Sequence, residues 1–130
     1  MSSRYAAHTK VPIERSRAEI ERVLAKYGCD AFVSGWSNEG AIIQFSHKGR
    51  SVRISVPYDN ENRERAERQR WRILLLLVKA QLEAVECGLL KFEEAFLPWM
   101  VLKSGATVYE TMLPQLPAEA ATLRLKGVRP

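Results

Sequence analysis

The segment from Asn60 to Gly88, NENRERAERQRWRILLLLVKAQLEAVECG, constrains this chain more than any other. Ala, Leu, Glu, Arg and Gln dominate it, and these lose little side-chain entropy in a helix. Asn60 carries the side-chain oxygen of an N-cap, and Gly88 suits the left-handed position just past a helix end. Trp71, Leu74, Leu75, Val78, Leu82 and Val85 follow the spacing of one helical face. Ile73, Leu76 and Leu77 fall outside that stripe, and a helix apolar nearly all round is covered on more than one side. The pattern predicts a central helix whose second half lies between a sheet and other helices. The apolar run Ile73–Val78 is far short of the ~20 residues a bilayer span needs, so no membrane association is expected.

The first half of the segment is basic. Arg63, Arg65, Arg68, Arg70 and Arg72 alternate with Glu61, Glu64 and Glu67. Glu61–Arg65 and Glu64–Arg68 have the favourable i, i+4 order, about 0.2–0.5 kcal/mol each. One reading is a solvated helix end laced with ion pairs. The other is a surface that contacts phosphate. Arginines in the first turns oppose the positive end of the helix dipole at up to about 1 kcal/mol each, which weighs toward an anionic partner.

The 130 residues fit one domain with a modest core. The net charge of +5 is unevenly placed: through Arg72 there are fourteen Lys/Arg against nine Asp/Glu, and after it six against six. The whole excess lies in the N-terminal part, compatible with a polyanionic partner. Cys29 and Cys87 belong to no CxxC or Cys/His cluster, which fits a reducing, cytoplasmic compartment. Met1–Lys10 lacks the apolar stretch of a signal peptide.

Along the chain, residues 1–10 read as a loose arm, 11–116 as a single domain and 117–130 as a tail. Pro12 disfavours helix at Val11. Ser16-Arg17-Ala18-Glu19 reads as a capping box opening a helix with Ile20, Val23, Leu24 and Tyr27 on its apolar stripe, ended by Gly28. Strands are expected at Ala31–Trp36, Ala41–Ser46 and Ser51–Pro57. The third alternates Val52, Ile54 and Val56 with Ser51, Arg53 and Ser55, the pattern of a half-buried antiparallel strand. After Gly88, Leu90–Leu97 reads as a short helix with Phe92, Phe96 and Leu97 inward. Thr107-Val108-Tyr109-Glu110 opens another short helix. The fold class is α+β: an N-terminal helix, a three-stranded antiparallel meander, a long central helix and short C-terminal helices.

No phosphate-binding glycine loop, dinucleotide fingerprint or HExxH is present. His8 and His47 are isolated, and a lone turn histidine is usually a solvated side chain rather than a ligand. Glu93 and Glu94 are adjacent, so they do not share a helix face. No enzyme activity, metal or cofactor is expected. The basic side is better populated. Lys48, Arg50 and Arg53 come from the second turn and third strand, and Arg63, Arg65, Arg68, Arg70 and Arg72 from the helix. The two groups are expected to form one nucleic-acid-binding patch, because arginine binds phosphate strongly and in bidentate fashion. Trp36 has two roles open: sheet core, which is favoured for an aromatic in a strand, or stacking on a base from the outer face.

The order helix–strand–strand–strand–helix resembles the double-stranded-RNA-binding domain, with Arg63, Arg65 and Arg68 at the positions of its basic second-helix start. That family's Lys-Lys-x-Ala-Lys pattern is missing here, and the resemblance is one of topology. Over nearly the whole chain, PIERSRAEIERVLAKYG, RQRWRILLLLVKAQLEAVECGLLKFEEAFLPWMVL and TVYETMLPQL are similar to small proteins encoded by tailed phages and prophages. That resemblance implies a bacterial-cytosol setting. It also implies one of two roles: accessory nucleic-acid (DNA or RNA) binding, or anti-CRISPR-like inhibition of a host defence protein complex. Exposed Trp and Met within Phe92–Met100 would favour the second. A homodimer through the spare apolar face of the central helix is a third possibility.

Overall fold

The computed structural model describes the backbone of residues 2–58 and 63–118 and the side chains of residues 12–58 and 64–118. The Asn60 cap, the Glu61–Arg65 pair and most of the expected tail, residues 119–130, lie outside the described residues, as does the side chain of His8. Helix α1 runs Ser2–Tyr27, strands β1, β2 and β3 are Ala31–Trp36, Gly40–His47 and Arg50–Pro57, and helix α2 is Arg63–Glu86. Short helices α3 (Phe92–Phe96) and α4 (Val108–Met112) follow, each leading into a single 3-10 turn. This is the expected α+β order.

Helix α1 is longer than its sequence signals predict. Ser16 and Glu19 do not open it but lie inside it, Pro12 is an interior residue, and residues 2–10, expected as an arm, are helical. A proline there removes one backbone hydrogen bond. The compensation is apolar: Ile13 is buried and stands on the same stripe as the buried Ile20 and Leu24, so continuing the helix across Pro12 keeps a core contact.

The sheet is antiparallel in the order β1-β2-β3. Ala41, Ile43 and Phe45 of β2 lie opposite Val56, Ile54 and Val52 of β3, and this face packs on the helices. The β2–β3 turn is only Lys48 and Gly49, both at positive φ (49° and 79°), the pairing that suits a tight hairpin with the twist of its strands. Gly40 opens β2 because a Cβ there would meet the Val56 carbonyl oxygen at 2.3 Å.

Helix α2 ends as its sequence implies. Gly88 has φ +84, the Gly88 amide donates to Val85 and the Leu89 amide to Ala84, which is the Schellman pattern that satisfies the last carbonyls. Trp71, Leu74, Val78 and Leu82 are fully or almost fully buried, while Ile73 and Leu76 face solvent. The helix is thus covered by the sheet and α1 but not all round. Each fully buried large side chain contributes about 1.5–3 kcal/mol. Trp71 donates its indole N–H to the Tyr58 hydroxyl at 3.2 Å, which fastens the end of β3 to the middle of α2.

Beyond Gly88, Phe96 meets Phe45 edge-on with centroids 5.5 Å apart. His47 is not a solvated turn residue: it is half-buried, with its ring 4.9 Å from both Tyr27 and Phe92. Phe92 and Phe96 point inward as expected, but Leu97 faces out at 49% exposure. Met100 bridges Val52 of β3, and the Val101 amide donates to the Ser51 carbonyl at 2.9 Å. The C-terminal segment therefore caps the start of the β3 edge. Among the described residues no helix is long and apolar enough to cross a membrane.

Candidate nucleic-acid interface

The eight basic residues expected to form one patch divide into two groups. Lys48 and Arg50 stand at the start of β3. The chain then travels seven residues, about 23 Å of strand, to Pro57 before it reaches α2. The helix start is near the far end of that strand, not near the turn.

Two members of the first group, Arg50 and Arg53, are engaged within the fold. Arg50 donates through Nε to Glu93 at 3.0 Å. The backbone N–H of Glu93 itself, and then Arg50, hold that carboxyl below its ordinary range. Arg53 donates to the Gly105 carbonyl at 2.9 Å and lies 3.4 Å from Glu110. Its side chain is only 25% exposed. The Thr107 amide, then the Thr107 hydroxyl, and Arg53 pull the Glu110 carboxyl down. Arg53 is a latch for the C-terminal segment. Lys48 remains exposed at the turn. Glu93 and Glu94 do not act as a pair: Glu94 accepts from the Lys91 amide at 2.9 Å.

The second group is arranged by helix geometry. Trp71 meets Tyr58 at the end of β3, so residues 63–70, about 12 Å of helix, precede that contact. Ala66 and Trp71 are buried on the inner side. Arg65, Arg68 and Arg72 recur at three and four residues on the opposite, exposed side, the spacing that aligns side chains in one row. Arg68 lies 3.9 Å from Glu64, with 43% of its side chain exposed, a loose pair of the kind that adds little to stability. Arg70 turns partly inward, its Nε shielded and without an acceptor among the described residues. The side chain of Arg63 is outside the described residues. Among the described residues, the exposed helix arginines of the expected patch form a row of three, Arg65, Arg68 and Arg72, with Lys48 apart from them at the turn.

Trp36 departs from the favoured expectation. Its register partner is Ala41, which gives it the parity of the helix-facing side of the sheet, yet it is 60% exposed. It lines an open concavity of about 530 Å³ with Gly40, Ile42, Ser55 and Pro57, at the same end of the sheet as the start of α2. Sequence parity assigns it to the inner face but does not reveal that, at the strand end, it borders a concavity lined by residues of both faces.

Within Phe92–Met100 the Met and the aromatic rings offer little to a partner, since Phe92, Phe96 and Met100 are buried and Trp99 is half-buried, but Leu97 is exposed. The exposed apolar surface lies further on. Leu97, Tyr109, Met112, Leu113 and Leu116 line a wholly apolar groove of about 180 Å³. No signal in the sequence distinguished this groove, because its residues come from two short helices and their turns. Among the described residues no group of three His, Cys, Asp or Glu is placed to hold a metal ion. Comparison with protein-family models, curated proteins and solved structures finds no match.

Proposed function

We propose that this chain is a non-enzymatic, phage-type accessory protein of the bacterial cytosol that binds nucleic acid electrostatically through the exposed row Arg65, Arg68 and Arg72. The observation that carries this reading is that row: three guanidinium groups on one solvent-facing helix side, in a chain whose net charge is +5. Arginine forks match phosphate oxygens without reading sequence. Trp36 adds an exposed aromatic face at the same end of the fold, suited to stacking on an unpaired base.

Fluorescence anisotropy with labelled single- and double-stranded DNA and RNA tests the reading. Three phosphate contacts give a salt slope of about −2.7 on duplex DNA, which is a loss of roughly 40-fold between 50 and 200 mM salt. Arg65→Glu/Arg68→Glu/Arg72→Glu abolishes this binding, whereas Arg50→Glu leaves most of it. No binding even at low salt, or equal binding by the triple variant, refutes the assignment.

A second reading is an inhibitor or adaptor acting on a host defence complex. It is favoured by the groove of Leu97, Tyr109, Met112, Leu113 and Leu116, since a contiguous exposed apolar patch is the usual mark of a protein contact. Tyr109→Glu would weaken that contact and leave anisotropy unchanged.

A further inference from the structure

The two edges of the sheet differ. Met100 and Val101 pair with Val52 and Ser51 at the start of β3. Among the described residues no strand lies on the other edge, which belongs to β1. An open edge is a row of unpaired amides and carbonyls, and proteins guard such edges with charges, proline or bulges. β1 has the sequence AFVSGW, with no charge and no proline, and its six residues pair with β2 in continuous register, with the preceding Asp30 amide turned in to the Ser46 carbonyl. Val33 and Trp36, at 67% and 60%, are the most exposed apolar side chains of the sheet.

The hairpin decides which backbone groups face outward. The Ser37 amide donates to the Gly40 carbonyl, and residues along an antiparallel ladder alternate between bonding the neighbour and facing away. Gly35, Val33 and Ala31 therefore bond β2. The N–H and C=O groups of Phe32, Ser34 and Trp36 point out of the sheet. The Tyr58 amide donating to Glu39 and the Val101 amide to Ser51 fix the same alternation in β2 and β3.

We propose that the chain forms a two-fold homodimer by antiparallel pairing of β1 with β1 of a second copy, with Ser34 opposite Ser34. This register joins all three outward-facing residues on each strand and makes six N–H···O bonds. A slip to either neighbouring symmetric register leaves Phe32 or Trp36 unpaired and makes four. It keeps the helix-facing sides of both sheets together, as directly opposed residues share a face. It sets Phe32 against Trp36 of the second copy twice over, and Val33 against Gly35, where no side chain obstructs it. β1 itself carries no charge, so no like charges are opposed along the paired strands. The patch is self-complementary, as a two-fold interface requires. One strand per copy gives an area near or below the ~1,200 Å² lower limit of stable complexes, so the dimer exchanges with monomer. The interface uses none of Arg65, Arg68 and Arg72, so it does not depend on their contacts to phosphate, but it does use Trp36, whose ring is withdrawn from stacking on a base when the strands pair.

Sedimentation velocity of the purified chain from about 1 μM to about 1 mM is expected to show a concentration-dependent shift from monomer to dimer mass. Trp36→Lys, at an exposed position, should raise the dissociation constant at least about tenfold, with an unchanged circular-dichroism spectrum. Ser34→Cys should cross-link under mild oxidation, because the Cα separation of a hydrogen-bonded pair, about 5.5 Å, lies within disulfide reach of about 4.4–6.8 Å. Val33→Cys, opposite Gly35, should not, and the native chain with Cys29 and Cys87 is the control. A monomer at every concentration, full dimerisation of Trp36→Lys, or preferential cross-linking of Val33→Cys overturns the proposal.

Discussion

The Trp71–Tyr58 hydrogen bond gives the sharpest test of how the sheet is joined to the central helix. Trp71 is fully buried and Tyr58 is 8% exposed, and the indole N–H reaches the hydroxyl at 3.2 Å. Tyr58→Phe keeps the ring and removes the acceptor, leaving the indole N–H away from water with nothing to bond. A buried donor orphaned in this way costs about 1–3 kcal/mol, more than the net contribution of the bond itself. For a chain of this length that corresponds to a fall in Tm of about 3–10 °C. With a urea m-value near 2 kcal/mol/M, a mid-range 2 kcal/mol lowers the midpoint by about 1 M. Urea unfolding followed by circular dichroism and by Trp fluorescence measures it. Trp71→Phe in the same background then completes a double-mutant cycle. The second substitution should cost less after the first, because no donor remains to be orphaned. A Tyr58→Phe chain within about 0.3 kcal/mol of the native one, or strictly additive losses, would refute the argument.

Phe96→Ala removes the fully buried ring that meets Phe45 and Phe92 and should cost about 3–5 kcal/mol in urea unfolding. Gly88→Ala meets no atom within 4 Å, so its loss of about 1–2 kcal/mol comes from the left-handed backbone alone. Burial, aided by Asp30, pushes the Cys29 thiol up to about 11. Near pH 8 only about one such group in a thousand is thiolate, so iodoacetamide should modify the exposed Cys87 first, with mass spectrometry locating the adduct. Glu110, held below its ordinary value of 4.5 by Thr107 and Arg53, contributes stability that is present above the unfolded carboxylate's pKa and lost as pH falls through the lower folded value. Glu110→Gln should therefore flatten the acid side of the stability profile, read as urea midpoints from neutral to acid pH.

The residues that were legible in advance share one property: their behaviour depends on near neighbours in the chain. The alternation of Val52, Ile54 and Val56, the stripe from Trp71 to Leu82, the Gly88 stop and the Thr107–Glu110 capping box are all local patterns, and each appears where the pattern puts it. Ser16–Glu19 is the instructive exception. It carries a valid local signal, but burial of Ile13 one turn earlier outweighs both that signal and Pro12.

The candidate site was legible only in part, for the complementary reason. Arg50, Arg53, Arg65 and Arg72 look alike as charges in a sequence. Arg50 is engaged by a carboxylate 43 residues away and Arg53 by one 57 residues away, and no local pattern encodes those meetings. Trp36 has the parity of a core residue, and only the tertiary structure shows that it stays exposed. Hydrophobic periodicity and helix stops act over one or two turns, so the chain itself settled its elements, their order and their inward faces. Which cations are held by distant carboxylates, and which strand edge stays open, are questions of distance between segments far apart in sequence, and only packing in three dimensions answers them.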